Sequence, residues 1–249
     1  SMGIEIVEQV PNVEVVVVPV GGAGLIAGVA LAVKTMMPNV RVIGVEPYRC
    51  RSYTDALEAG RPVQAHTTFT LADGLAVPTV GPHAFEVARH WVDEVVHVNE
   101  RDISLAMLRL GEGEKVIVEG GGAAGIAAML PGGPLDRPDI KGKTVVAPLC
   151  GGNIDTTTLG RVLERGLSAD GRLIQVKAAI SDRPGGVSEF TRIVASLGGS
   201  IKDVFHERAW LYSSIDEVVL KVVVETAGHE HNDKLLTELR KYYPGADMV

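Results

Sequence analysis

The chain has 249 residues, enough for one large domain or for two. Hydrophobic residues make up 46% and charged residues 22%, which allows a substantial buried core and excludes an intrinsically disordered chain. A net charge of −7 gives no basis for nucleic-acid or membrane-surface binding. The apolar runs are strand-length, and only two cysteines occur, Cys50 and Cys150, so a reducing, cytoplasmic setting is expected rather than a membrane span or a disulfide scaffold.

Strands and helices alternate from the start. Val13 to Val20, almost all valine, reads as a strand buried on both faces of a parallel sheet. A glycine-rich turn at Gly21 to Gly24 leads into a helix over Leu25 to Met37, stopped by Pro38, and a second strand over Val40 to Val45 completes a βαβ unit. Pro82 to Arg89 reads as a helix, Glu94 to Val98 as a strand and Glu100 to Leu110 as a helix. Val116 to Val118 leads through Gly120 to Gly122 into an alanine-rich helix over Ala123 to Leu130. Thr144 to Pro148 reads as a strand ending at Cys150-Gly151-Gly152. Two glycine turns therefore follow strands, at the carboxyl ends where α/β sheets bind ligands.

The pattern changes after Asp155. Thr156 to Glu164 reads as a helix and Arg165 to Gly171 as a linker. Then follow strand Leu173 to Ile180, loop Ser181 to Gly186, helix Val187 to Leu197, strand Ser200 to Arg208, strand Glu217 to Thr226, helix Asn232 to Tyr242 and a stub strand in Ala246 to Val249. That order, βαββαβ, is a ferredoxin-like plan. Val218, Leu220 and Val222 alternate along one of its strands, on a face expected to bury against a partner.

The turn Pro19-Val20-Gly21-Gly22-Ala23-Gly24-Leu25 suits an anion, because glycines admit close backbone approach and the following helix presents its free amides. Three readings fit it: a turn with no ligand, a dinucleotide site, or a pyridoxal phosphate (PLP) phosphate cup. The dinucleotide reading draws on Gly22-Ala23-Gly24-Leu25-Ile26-Ala27, which fits G-x-G-x-x-G/A, and on Glu46 near the end of the next strand.

Three further segments separate these readings. They are Leu71-Ala72-Asp73-Gly74, Glu119-Gly120-Gly121-Gly122-Ala123 and Leu149-Cys150-Gly151-Gly152-Asn153-Ile154-Asp155. With the first glycine turn, in this order and spacing, the chain resembles the fold-type II PLP enzymes of the threonine dehydratase, serine dehydratase and serine racemase group over about residues 3 to 160. The resemblance implies PLP as cofactor, with the amides of Gly21, Gly22, Ala23, Gly24 and Leu25 on the phosphate. Ala23 replaces a family glycine, a mild change provided its φ is negative. The resemblance also puts Gly74 near the cofactor's O3′ side, Glu119 beside the ring and Cys150 opposite the pyridine nitrogen, where relatives have serine or cysteine. A neutral partner there leaves the ring a weaker electron sink, sufficient for β-elimination. Glu46, Cys50 through its carbonyl, and Ser52 occupy the positions of a cation site in some relatives, although Ser52 stands where those have a carboxylate. Otherwise Glu46 reads as an exposed strand-end acid or a partner of Arg49 or Arg51. The seven histidines have no metal-ligand spacing and read as structural or solvated.

Arg172 to Val249 resembles the single ACT-like domain appended to some threonine dehydratases, its clearest cue being Ser181-Asp182-Arg183-Pro184-Gly185-Gly186-Val187. The resemblance implies an amino-acid effector, isoleucine or valine, held by Asp182, Gly185, Gly186 and Val187 at an interface of a homo-oligomer, with Asp182 capping or bonding in the turn. Without a ligand the segment is an assembly module. The expected architecture is therefore a PLP-binding portion of a parallel α/β domain over 3–164 and an ACT-like domain over 172–249. In the family the Schiff-base lysine lies in a Ser-x-Lys-x-Arg-like segment, and no lysine of this chain has that setting. That segment is expected upstream, and the chain is expected to be a fragment, inactive alone, of an L-threonine or L-serine ammonia-lyase. Serine racemase and a non-catalytic amino-acid sensor remain as alternatives.

Overall fold

The structure, a computed structural model, describes residues 2–207 and 216–249. It divides into two compact units, Ser1–Gly166 and Leu167–Val249.

The first unit opens with helix α1 (Met2–Gln9) and strand β1 (Val15–Pro19), then α2 (Gly24–Met36), β2 (Arg41–Pro47), α3 (Ser52–Ala59), a 3-10 turn at Asp73–Leu75, α4 (Pro82–Trp91), β3 (Glu94–Val98), α5 (Glu100–Arg109), a π turn at Leu110–Glu114, α6 (Gly120–Met129), β4 (Val145–Val146) and α7 (Thr156–Ala169). The strands form a parallel sheet in the order β3-β2-β1-β4. The valine run of β1 follows from burial on both faces: Val15 and Val17 join one core with Ile103 and Met107 of α5 and Ala124 of α6. Val16 and Val18 join the other with Ile26 of α2, Tyr53 of α3 and Phe85 of α4. Helix starts follow local chemistry. Pro82 occupies the first turn of α4, and Asn99 Oδ1 accepts from Asp102 N at 2.9 Å to cap α5.

The second unit runs β5 (Leu173–Ser181), α8 (Gly186–Ser196), β6 (Ser200–Glu207), β7 (Glu217–Glu225), α9 (His229–Tyr242) and β8 (Asp247–Met248), with an antiparallel sheet ordered β6-β7-β5-β8. Both helices cover one face of this sheet. Phe190 and Val194 of α8 and Leu235 and Leu239 of α9 pack on Val176 and Ile180 of β5.

Several elements differ from the sequence reading. The strand expected over Thr144 to Pro148 pairs only at Val145 and Val146. Gly120 to Gly122 form the first turn of α6 rather than a turn ahead of it, and the supposed linker at 165–171 is helical through Ala169. Helices α1 and α3, each eight residues long, have no counterpart in the sequence reading. Val218, Leu220 and Val222 do not face a partner; they are fully buried in the second unit's own core. Arg208, expected at the end of a strand, lies outside the described residues. Among the described residues, no helix is long and apolar enough to cross a membrane.

Candidate functional site

The cup is built where β1 meets α2. Val20 N donates to Val45 O at 2.8 Å, which ends β1 against its neighbour and turns the chain out of the sheet. Helix α2 then begins at Gly24, with Ala23 as its N-cap. Its first-turn amides have no intrahelical acceptor, so they face the space above the sheet edge. Gly22 O accepts from Gly81 N at 3.1 Å, tying the loop to the start of α4. Ala23 departs from expectation: its φ is 66°, in the left-handed region, and it is buried.

Three distant segments close on this loop. Gly74 comes from the 3-10 turn, and its carbonyl oxygen would lie 3.3 Å from a Cβ placed on Gly21. Glu119, the N-cap of α6, points its carboxylate to the same place: Oε1 would lie 3.3 Å from a Cβ on Gly74, and Oε2 accepts from Asn153 N at 3.0 Å. The segment carrying Cys150 runs beside α6, with Glu119 N donating to Gly151 O at 3.2 Å. Two close approaches explain glycines here. A Cβ on Gly120 would overlap the Leu71 carbonyl, and one on Gly122 would overlap the Cys150 carbonyl. Helix α6 therefore draws the Gly74 and Cys150 segments onto its first turn.

The result is a cavity of about 350 Å³ lined by Gly21, Gly22, Ala23, Gly24, Leu25, Gly74, Glu119 and Cys150, joined by Pro19, Leu75, Gly121 and Gly151. That volume is in the range of small-ligand pockets, and its place beyond the carboxyl ends of β1 is where open parallel sheets bind ligands. A cavity of about 380 Å³ lies at the opposite, amino-terminal edge, where the Arg41–Asp139 and Lys143–Glu14 ion pairs already satisfy its charges.

Residues 1–151 match the family described as pyridoxal-phosphate dependent enzyme. The chain belongs to that family. It is 42% identical over 235 residues to an L-threonine ammonia-lyase of Thermotoga maritima, an alignment that covers 94% of this chain and 57% of the relative. The chain thus spans little more than half of that relative's length. Among solved structures, it superposes on the processed form of threonine deaminase isoform 2 from Solanum lycopersicum with a TM-score of 0.61 and 37% identity, covering 66% of this chain and 47% of that one. A maize serine racemase superposes with a TM-score of 0.58 and 35% identity, covering 64% and 50%.

The residues fit the family's cofactor on structural grounds. A Cβ on Gly24 would meet nothing within 4 Å, so the loop opens into free space at the helix N-terminus, as a phosphate requires. Burial pushes the Cys150 thiol above its ordinary value, so at neutral pH it is an uncharged group on the cavity wall. Among the described residues, no lysine lines the cavity.

The cation ligand positions look different in space. Glu46 is fully buried rather than exposed. Its carboxylate accepts from Tyr53 N at 2.7 Å, Thr54 N at 3.0 Å and Thr54 Oγ1 at 2.6 Å, capping α3. Cys50 is buried with its thiol 3.4 Å from Val77 O, and Ser52 begins α3. Among the described residues, no group of three or more His, Cys, Asp or Glu is placed to hold a metal. In the second unit, Asp182 does not cap α8. The N-cap is Gly185 at φ 105°, while Asp182 Oδ1 lies 3.6 Å from His206 Nε2 and Asp182 N donates to Asp216 O. Gly186 and Val187 form the first turn of α8. The sequence reading missed Gly151, whose φ of +93° and contact with Glu119 shape the wall. Its signal was present, because it lies within the quoted Cys150 motif.

Proposed function

We propose that this chain is the cofactor-holding portion of a PLP-dependent ammonia-lyase that converts L-threonine to 2-oxobutanoate and ammonia, or L-serine to pyruvate and ammonia. The observation that carries this reading is the convergence of four sequence-distant segments on one cavity at the carboxyl edge of the sheet. The amides of Gly21 to Leu25 hold the phosphate. Gly74 and Glu119 border the ring, and Cys150 offers the ring nitrogen a hydrogen-bonding partner that does not charge it. When bound, PLP supplies the electron sink that lets the Cα proton and the β-hydroxyl leave. The protein's part is to orient the substrate beneath that sink, to keep the ring nitrogen neutral and to exclude water. Ammonia-lyase is favoured over racemase because the alignment with the T. maritima enzyme runs over 94% of the chain, into the second unit.

The second unit is, in this proposal, an ACT-type regulatory domain of a homo-oligomer. Its βαββαβ order and the sheet order β6-β7-β5-β8 support that reading. Isoleucine or valine is the proposed effector, at Asp182, Gly185, Gly186 and Val187.

Titration with pyridoxamine 5′-phosphate and with pyridoxamine tests the cup. Saturable binding of the phosphorylated compound, lost when Gly24 is replaced by Asp, is expected. Equal affinity for both compounds would rule out a phosphate cup at Gly21 to Leu25.

A further inference from the structure

The stretch that delivers Gly74 to the cup has no regular structure between α3 and the 3-10 turn. Its position is set by a residue from another element. Glu100, the first residue of α5, accepts from Thr70 Oγ1 through Oε1 at 2.6 Å and from Leu71 N through Oε2 at 2.7 Å. Thr70 Oγ1 in turn accepts from Ala72 N at 3.2 Å. Arg49 supports the same stretch: its Nε lies 4.0 Å from Glu100 Oε1, its guanidinium donates to Phe69 O and its carbonyl accepts from Thr68 N. Thr70 is 2% exposed, so its hydroxyl has little access to water if Glu100 lets go. From this clamp the chain passes over Gly120, where the Leu71 carbonyl fills the place of a Cβ, and reaches Gly74 between Gly21 and Glu119.

We infer that Glu100 is a positioning residue for the cofactor cup. Its carboxylate bonds Thr70 and Leu71, outside the phosphate loop, and so fixes Leu71 to Gly74 at the height that brings Gly74 against Gly21 and Glu119. Two donors face one carboxylate, and each takes one oxygen. A glutamine offers an acceptor to only one of them and presents its NH₂ to the other, so it makes half the clamp; alanine makes none. Glu100 also sits in the first turn of α5, where a negative charge favours the helix. Asp102 lies in that same turn, where its backbone N–H donates to the Asn99 cap, so Asp102→Asn serves as the control for first-turn charge.

This inference rests on the cup reading, and its test keeps the two apart. Glu100→Ala, Glu100→Gln and Asp102→Asn are compared for pyridoxamine 5′-phosphate affinity and for ligand-free hydrogen exchange over residues 70–75. Loss of both charged hydrogen bonds predicts roughly tenfold or greater weakening of binding in Glu100→Ala, an intermediate loss in Glu100→Gln and no change in Asp102→Asn. Exchange at 70–75 should quicken by a similar factor in Glu100→Ala while β1 to β3 stay protected. Unchanged exchange at 70–75 in Glu100→Ala, or an equal loss in Asp102→Asn, overturns the role. Should the unmodified chain bind no pyridoxamine 5′-phosphate, the cup reading fails and the exchange comparison still decides the clamp.

Discussion

At Ala23 the backbone holds φ 66° and ψ −1°, a conformation that disfavours any side chain beyond glycine by about 1–2 kcal/mol. Ala23 is 2% exposed, and burial of its methyl returns about 0.8 kcal/mol, so the strain is partly offset by packing. Such strain collects where a loop must meet a ligand. Gly122 has no such tolerance. Gly122→Ala is expected to lower unfolding free energy by about 1–3 kcal/mol, because the new methyl meets the Cys150 carbonyl backbone rather than a yielding side chain; urea denaturation reads this directly. Cys150 gives a pH prediction. Its folded thiol titrates above its ordinary value of 9.0, so the native state keeps a proton that the unfolded chain has lost. Stability should therefore fall as pH rises past the ordinary thiol value, and Cys150→Ser should flatten that alkaline slope. Iodoacetamide should label Cys150 more slowly at pH 8 than it labels the denatured chain.

Strand β3 is locked to the segment before β4 by ion pairs. Glu94 takes both Arg137, at 2.6 and 2.7 Å, and Arg41, at 2.9 Å, while Arg41 and Arg137 also reach Asp139. The Arg137 hydrogen bonds hold the Glu94 carboxyl below its usual range. A depressed folded value contributes stability above the unfolded value and loses it as pH falls through the folded one. Arg137→Met is accordingly expected to cost about 1 kcal/mol at neutral pH, the size of partly exposed pairs, and nothing once Glu94 and Asp139 are both protonated. A loss that persists unchanged in acid would show packing by the arginine stem to be the cause. In α3, Tyr53 is fully buried, desolvation raises its phenol to about 12, and its hydroxyl has no hydrogen-bond partner among the described residues.

At the scale of the whole molecule, no lysine lines the cup among the described residues, and the chain by itself is expected to release no 2-oxobutanoate from threonine beyond the rate of free PLP. Sustained turnover in a coupled assay would mean that one of its lysines reaches the cofactor. The second unit makes a separate prediction. Calorimetry with isoleucine and valine should give saturable heat that Gly186→Val abolishes, since a larger side chain there collides with the Ser181 carbonyl. Heat from neither amino acid would leave the unit as an assembly module. Strand β6 is suited to that role as well: it forms the sheet edge and leaves Val204 and Phe205 44% and 49% exposed.

The sequence by itself determined the local and motif levels. The valine run at 15–18, Pro38 after α2, Pro82 at the start of α4 and the alternation along β7 are short-range signals, and each produced the expected element. The glycine motifs were legible because close backbone approach leaves few residue choices. The tertiary structure decided what depends on partners distant in the chain. Glu46 looks like an exposed strand-end acid until Tyr53 of α3, seven residues on, folds over it and turns it into a buried cap. Val218, Leu220 and Val222 alternate equally well for a partner or for the unit's own helices, and only packing chooses between them. Thr144 to Pro148 opens with strand composition, yet its ladder stops at Val146, because Ala147 and Pro148 favour strands poorly and pairing needs a neighbour in register as well as propensity. Glu100 reads as an ordinary helix-start acid; its hold on Thr70 and Leu71 spans 29 residues or more and exists only once α5 and that segment share a surface.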